Sequence, residues 1–176
     1  MTLDQFLDLA ETRRSVRAYK PDPVPDDLLR RVLEAARLAP SACNRQPSRW
    51  IVLRDPAARR SLGTAYARDW FWTAPVCIAL CVDLSAAWTR PYDSRSYAFV
   101  DGAIAMDHLT LAAAAAGLGT CWIAAFDPAA ARAALSLPDN WDVVALTPLG
   151  YPAPEPNPRP RSRNPLADSL YLDRTP

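Results

Sequence analysis

The sequence is poor in glycine and nearly lacks histidine, and both shortages exclude classes of site. Only five glycines occur in 176 residues, and they form neither Gly-x-Gly-x-x-Gly nor Gly-x-x-x-x-Gly-Lys. A Rossmann nucleotide site and a P-loop phosphate site are therefore excluded. The single histidine, His108, stands apart in sequence from Cys77 and Cys81, and no Cys-x-x-Cys pair exists. We expect no metal centre, and we interpret His108 as a structural residue within a helix.

A strong charge of either sign is also missing. The formal net charge is +1, with 22% charged residues, so neither nucleic acid nor an anionic membrane is expected as a partner. The N-terminal residues include Asp4, Asp8 and Glu11 without a basic leader, and no apolar run approaches the length of a membrane span. These features predict a cytoplasmic location.

Two of the four cysteines lie in one strand-like run. Cys77 and Cys81 are four residues apart between Ala74 and Asp83, which places both side chains on one face of a strand. Their Cα atoms would then be about 13 Å apart, too far for a disulfide. We expect buried structural thiols.

The length and the 50% hydrophobic content fit a single domain over residues 1–176. Hydrophobic periodicity predicts helices over 2–11, 25–39, 101–116 and 128–135, and strands over 49–53, 75–82, 121–125 and 143–149. Gly117 is expected to end the longest helix. The pattern predicts an α+β fold, with helices packed on a mixed β-sheet.

Three regions leave two interpretations open. Five consecutive alanines, Ala112 to Ala116, suit a central core helix or a helix shared with a dimer interface. Trp70-Phe71-Trp72 and the aromatics between Trp88 and Tyr97 suit either a substrate face or a core. Seven prolines between Pro148 and Pro165 predict an extended tail over 148–176. The alternative for that tail is a disordered end.

Three segments carry the chemistry. Thr12 to Tyr19 holds three arginines and a serine hydroxyl within five residues, a set suited to a doubly charged phosphate. Pro40 to Pro47 follows a predicted helix and is stiffened by its two prolines. Gly117 to Asp127 follows the longest predicted helix. Taken alone, the first is typical of a solvated surface and the second of a helix-ending turn.

In that order and spacing, the three segments resemble the nitroreductase family of FMN-dependent oxidoreductases, and the resemblance runs from about Leu7 to Asn164-Pro165-Leu166. It implies a nitroreductase-like mixed β-sheet flanked by helices, in a homodimer whose extended C-terminal tails are exchanged between subunits. It also implies FMN as cofactor and NADH or NADPH as electron donor. Without a Rossmann site, the nicotinamide would stack directly on the flavin and be replaced by the acceptor, in ping-pong order. A small planar acceptor, such as a nitroaromatic or a quinone, is implied as the substrate.

The resemblance assigns roles residue by residue, and none of them is catalysis by a side chain. For the FMN phosphate it implies Arg13, Arg14, Ser15 and Arg17, joined by Arg161 and Arg163 from the tail. For the flavin ring it implies Pro40, Ser41, Ala42 and Asn44 from the second subunit, with Gln46 supporting their loop. For flavin N5 it implies a backbone N–H donor at Ala124 or Ala125.

Two positions depart from the family pattern. Many relatives carry glycine at the position of Ala124, so the methyl group narrows the space over the flavin. Many also carry an aromatic residue directly after the Gln-Pro pair, where this sequence has Ser48, with Trp50 two residues later.

Two other classes remain as alternatives. A flavin-binding protein for storage or remodelling, without turnover of reduced nicotinamide, would share every cofactor motif. An interaction module without flavin would use the Arg13 to Arg17 cluster for an acidic partner and the proline-rich tail as a polyproline ligand. That module does not require the other two segments.

Overall fold

The computed structural model describes residues 1–155 and 162–173, which form five α-helices and four β-strands. The helices are α1 (Leu3–Thr12), α2 (Asp26–Arg37), α3 (Pro56–Ser61), α4 (Ala98–Ala115) and α5 (Pro128–Ala134). The strands are β1 (Ser48–Leu53), β2 (Val76–Asp83), β3 (Gly119–Thr120) and β4 (Trp141–Gly150). Short 3-10 turns lie at Ala42–Asn44, Leu62–Thr64, Asp69–Thr73 and Leu166–Asp168.

The strands form one four-stranded sheet in the order β1-β2-β4-β3. All three ladders are antiparallel, with Ser48 opposite Val82 in β1 and β2 and with Gly119 opposite Gly150 in β3 and β4. The parallel element is a single bridge between Ser15 and Thr120, which adds the segment after α1 to the β3 edge. The α+β class expected from the sequence is confirmed.

Strand β2 is the centre of the core and is buried on both faces. Its alternate residues enter two clusters, since side chains along a strand point to opposite faces. Ile78 packs with residues of α2 and α4, including Val32 and Met106, on one face. Cys77 and Cys81 lie together on the other face, beside Phe71, as their spacing predicts. Burial raises the pKa of both thiols to about 12, so they stay protonated near neutral pH.

Helix α4 is the central helix that the alanine run predicts. It contacts α1, α2 and every strand of the sheet, and eight of its residues are buried. Gly117, at φ +73°, follows the helix end, and the Leu118 N–H returns to the Ala113 carbonyl at 2.8 Å, a common C-terminal cap. With 18 residues and a mean hydropathy of 1.2, α4 alone among the described helices matches a membrane span by length and composition. Core helices share these properties, and α4 lies against the sheet.

One predicted strand is wrong, one long helix begins earlier than predicted, and one helix was not predicted. The strand expected over 121–125 is not formed: β3 is Gly119–Thr120, the chain leaves the ladder after it, and only Ile123 returns to pair with Leu146. Helix α4 begins at Ala98 rather than at Asp101. The extra helix, α3, is capped by Asp55, whose side chain accepts from the N–H groups of the first turn at 2.9 Å.

The Trp70-Phe71-Trp72 segment belongs to the core. Phe71 is fully buried and makes edge contacts with Tyr66, Trp70 and Trp72, at ring-centroid distances between 4.7 and 6.1 Å. The two tryptophans pack partly buried against the same cluster. The core interpretation of this segment is therefore correct.

The tail leaves the sheet later than predicted, since Pro148 still lies within β4. Residues 151–155 then run along residues 17–20 of the same chain. The Lys20 N–H donates to the Tyr151 carbonyl and the Ala153 N–H to the Ala18 carbonyl, both at 2.9 Å. The first part of the tail thus reinforces the segment that carries the N-terminal arginines.

Candidate functional site

The arginine-rich segment Arg13–Arg17, here called the clamp segment, has a fixed backbone. Its first residue caps α1, with the Arg13 N–H donating to the Leu9 carbonyl at 2.9 Å. The Val16 N–H donates to the Thr120 carbonyl at 2.8 Å, and the Val16 side chain is buried against Gly119. Sheet pairing and side-chain burial therefore hold the clamp segment at the β3 edge.

The guanidinium groups of the clamp segment have no carboxylate partner in the described part of the chain. Within residues 1–155 and 162–173, the side chains of Arg13, Arg14 and Arg17 form no ion pair. Arg14 is exposed, and the other two are half-buried. Three neighbouring cations on a rigid backbone, without an anionic partner in the described residues, are suited to bind a multiply charged anion.

Two further contacts shape this region. Glu155 lies close by, but its carboxylate accepts the backbone N–H of Arg17 at 2.9 Å, so the guanidinium is left available. The buried Tyr19 hydroxyl donates to the Val16 carbonyl at 2.7 Å. Burial raises the pKa of Tyr19, and it remains a neutral donor.

The second part of the site is the turn at Ala124 and Ala125. It is held on one side by the Ile123 and Leu146 backbone pair, with bonds of 2.9 and 3.0 Å, and on the other by Asp127, which caps α5. Both alanines are exposed. Within the described residues, neither of their N–H groups donates a hydrogen bond. Free amides on a pinned turn are suited to donate to a ligand.

The third part is the loop Pro40–Gln46, which leaves α2 and leads into β1. Cys43, Asn44 and Gln46 have φ values of 50°, 52° and 50°, a left-handed conformation that costs a non-glycine residue about 1 to 2 kcal/mol. Internal bonds hold this shape: the Gln46 N–H donates to the Ser41 hydroxyl at 2.9 Å, and the Gln46 amide donates to Asn44 Oδ1 at 3.1 Å. Strained loops of this kind are concentrated at binding sites.

A residue that the sequence analysis missed anchors this loop. Asp101, in the first turn of α4, is only 2% exposed, and its Oδ1 accepts the Ala42 N–H at 2.9 Å. With Pro40, Ser41, Gln46 and their neighbours it lines a cavity of about 200 Å³. In the sequence this aspartate resembled an ordinary exposed residue of a first helical turn, and no local pattern distinguished it.

Within one chain, the loop lies far from the other two parts. The clamp segment and the Ala124–Ala125 turn lie at the β3 edge of the sheet. The loop enters the sheet at β1, which is three strand spacings, or about 14 Å, from β3. Along α4, Asp101 beside the loop is thirteen residues from Ala114 beside the clamp segment, about 20 Å of helix. The structure therefore places the first two parts at one edge of the sheet and the third part at the other edge.

Of the two tail arginines, Arg161 lies outside the described residues. Arg163 is exposed, and within the described residues its guanidinium donates only to the neighbouring Ser162 carbonyl, at 3.1 Å.

The chain is similar to known proteins over most of its length. The Nitroreductase family model matches residues 10–70 and 63–151. A protein of Thermus thermophilus named NADH dehydrogenase is 37% identical over 173 residues, covering 81% of this chain and 84% of the relative. The 5,6-dimethylbenzimidazole synthase of Rhodospirillum rubrum is 34% identical over 177 residues, covering 84% and 82%.

A solved structure gives the same result for the fold. The crystal structure from Desulfovibrio desulfuricans, described as a nitroreductase in complex with FMN, superposes with a TM-score of 0.80 at 29% identity, covering 99% of this chain and 100% of that chain. These matches define an enzyme of the oxidoreductase class. The chain belongs to the nitroreductase family.

Proposed function

We propose that this protein is an FMN-dependent oxidoreductase that passes electrons from NADH or NADPH to a small planar acceptor, such as a nitroaromatic or a quinone. It works as a cytoplasmic homodimer and binds donor and acceptor in turn at one flavin face. The observation that carries the proposal is a shared edge of the sheet. In the described residues, the three guanidiniums of the clamp segment form no ion pair and the amides of the Ala124–Ala125 turn donate no hydrogen bond, and both groups lie at the β3 edge. FMN, when bound, supplies the hydride chemistry through its N5.

The clamp segment fits the phosphate of this cofactor. Its arginines present forked donors that match phosphate oxygens, and Ser15 adds a hydroxyl. Each charge-assisted hydrogen bond contributes about 1.5 to 3 kcal/mol. Because the backbone is already fixed by β3, little ordering opposes binding. Arg161 and Arg163 of the tail are proposed to add further positive charge around the phosphate.

The Ala124–Ala125 turn fits the polar edge of the ring. A backbone N–H directed at N5 would stabilise the flavin as it accepts electrons at that atom, whatever side chain the donating residue carries. No general acid or base is needed from the protein, and His108 is unsuited to that role. Its Nδ1 lies 3.0 Å from the Ile104 carbonyl oxygen, so its hydrogen bond stays within α4.

The separation of the three parts supports the proposed homodimer. The Pro40–Gln46 loop lies across the sheet from the clamp segment of its own chain, and in the proposed dimer a second copy brings a loop to each clamp. Apolar surface suited to such pairing is present. Helix α1 has no buried residue and exposes Leu3 and Leu7, and the tail exposes Leu170 and Leu172. Contiguous exposed apolar surface of this kind is typical of subunit interfaces.

Charge reversal tests the phosphate clamp. Arg14→Glu and Arg163→Glu are expected to release FMN while the far-ultraviolet circular dichroism is unchanged, because both side chains are exposed. Arg30→Glu on α2, an exposed position with the same change of charge, is the matched control and is expected to retain FMN. Tight retention of FMN by the first two variants would contradict the clamp.

Spectroscopy under anaerobic conditions tests the turnover. The purified protein is expected to show a flavin spectrum that bleaches on addition of NADH or NADPH and returns on addition of an acceptor.

Leu7→Glu, combined with light scattering, tests the assembly: the dimer and FMN retention are expected to weaken together. A monomer that keeps FMN would contradict the shared site.

One alternative has a specific observation in its favour. The Rhodospirillum rubrum relative is named 5,6-dimethylbenzimidazole synthase, and that product contains the dimethyl-substituted ring that flavins also carry. Flavin remodelling would therefore use the same cofactor site. Chromatography after repeated reduction in air distinguishes the two functions: an oxidoreductase returns intact FMN, whereas a remodelling enzyme consumes it.

A further inference from the structure

Asp101 is unusual among the charged residues of this protein. It is the one charged side chain that is buried in the described residues, at 2% exposure, and the other buried polar residues are threonines. Burying a carboxylate is unfavourable unless charge or hydrogen bonds compensate. Its position in the first turn of α4 supplies part of that compensation, because the amino end of a helix favours negative charge.

The two oxygens of Asp101 are used unequally. Oδ1 accepts the Ala42 N–H at 2.9 Å, whereas Oδ2 is buried without a hydrogen-bond partner in the described residues. The bond from the Ala42 N–H is therefore the one hydrogen bond that this carboxylate makes within the described residues. That bond joins α4 to the loop Pro40–Gln46.

The loop needs an anchor outside itself. Cys43, Asn44 and Gln46 all have left-handed backbone angles, and the bonds of Ser41 and Gln46 close the loop onto itself. They do not fix where the loop lies relative to the sheet. The bond from Ala42 to Asp101 does so for the middle of the loop, because α4 is packed into the core. At the end of the loop, Arg49 of β1 donates to the Gln46 carbonyl at 3.0 Å.

We infer that Asp101 is a positioning residue for flavin binding: through the Ala42 N–H it holds the loop Pro40–Gln46 in the position from which the loop contacts the cofactor of the partner subunit. The inference rests on the proposed function. Asp101 itself touches no cofactor. The role requires a hydrogen-bond acceptor at Oδ1 and does not require the negative charge.

Three variants separate these requirements. Asp101→Asn keeps an acceptor for the Ala42 N–H and is expected to bind FMN within threefold of the wild-type dissociation constant. Asp101→Ala removes the acceptor, and its dissociation constant is expected to rise at least tenfold. Asp107→Ala removes an exposed carboxylate from the same helix and is expected to match the wild type.

Hydrogen exchange of the Ala42 amide in the protein without FMN gives a second readout. We expect exchange at least tenfold faster in Asp101→Ala and unchanged in the other two variants. Should Asp101→Ala fail to fold, Ala42→Pro deletes the same bond from the loop side. Ser41, at φ −139° and ψ 156°, already has the extended backbone that a following proline requires. The FMN dissociation constant of Ala42→Pro is then expected to be at least tenfold higher than that of the wild type.

The outcomes separate failure of the positioning role of Asp101 from failure of the proposed function. Unchanged Ala42 exchange and unchanged FMN binding in Asp101→Ala would overturn the positioning role while leaving the proposed function intact. An Asp101→Asn variant as defective as Asp101→Ala would also overturn it, because charge would then be the requirement. Failure of the wild type to bind FMN would overturn the proposed function and this inference together, whatever the exchange rates.

Discussion

Gly119 links the stability of the sheet edge to the clamp segment, and Gly119→Ala tests that link. A Cβ atom at this position would lie 2.8 Å from the Cβ and Cγ2 atoms of Val16. Carbon atoms in ordinary contact are about 3.5 to 4.0 Å apart, so the Val16 side chain must move outward. It is buried, and its backbone is bonded to Thr120, so the displacement is transmitted to the arginines on either side.

Overpacking of this kind costs about 1 to 3 kcal/mol. For a chain of this size, each kcal/mol lowers the melting temperature by about 2 to 4 °C. Thermal unfolding of the protein without FMN measures the change in stability, and a fluorescence titration measures the change in FMN affinity. We expect both to fall in Gly119→Ala. Adding Val16→Ala to the variant is expected to recover only part of the loss, because it removes the two Cγ atoms of the contact and leaves the Val16 Cβ atom in place.

Gly63→Ala is the matched control for this experiment. Its new Cβ atom would meet only Trp72 Cζ2 at 3.9 Å, an ordinary contact. A surface substitution without such a clash usually changes stability by less than about 0.5 kcal/mol. If Gly119→Ala were as stable as Gly63→Ala and bound FMN normally, the coupling of the β3 edge to the clamp segment would be refuted.

Three further predictions concern the core, the thiols and acid stability. Phe71→Ala is expected to destabilise the protein by about 3 to 5 kcal/mol in urea unfolding, since the ring is fully buried. A maleimide reagent at pH 7.5 is expected to label the exposed Cys43 faster without FMN than with it, and to reach Cys77 and Cys81 only after unfolding, because burial raises their pKa to about 12. Hydrogen bonds, first from Ser85, lower the pKa of Asp83 from its ordinary value of 3.8. Asp83 therefore contributes stability above that value, and urea unfolding should show the difference between wild type and Asp83→Ala shrinking as the pH falls below it.

Long, strongly patterned elements were predictable from the sequence. The alternation along β2 placed Cys77 and Cys81 on one face, and both face the Phe71 cluster. Gly117 marked the end of α4, since only a residue that tolerates positive φ caps a helix in this way. Such signals are local, and tertiary contacts did not override them.

Short elements depended on contacts that the sequence does not display. The apolar run from Cys121 to Ala125 has the composition of a strand, yet ladder pairing ends at Thr120. Helix α3 was readable in principle, because Asp55 followed by proline is a common helix start. Its six residues gave too little periodicity to reveal it.

The candidate site was predictable as a set of residues and not as an arrangement. The arginines of the clamp segment and the alanines after β3 meet at one edge because Ser15 bridges to Thr120, a pairing between distant parts of the chain. The burial of Asp101 depends on the packing of α4 against the Pro40–Gln46 loop. A single sequence records neither relation.

The position of the loop and the clamp segment at opposite edges of one sheet has a genetic consequence under the proposed pairing. Each flavin site then takes its phosphate contacts from one chain and its loop from the other. A chain with a defective clamp and a chain with a defective loop are each inactive alone. Random pairing of the two makes about half of the dimers mixed, and each mixed dimer contains one intact site and one doubly defective site. Two inactive alleles would therefore restore activity when expressed together.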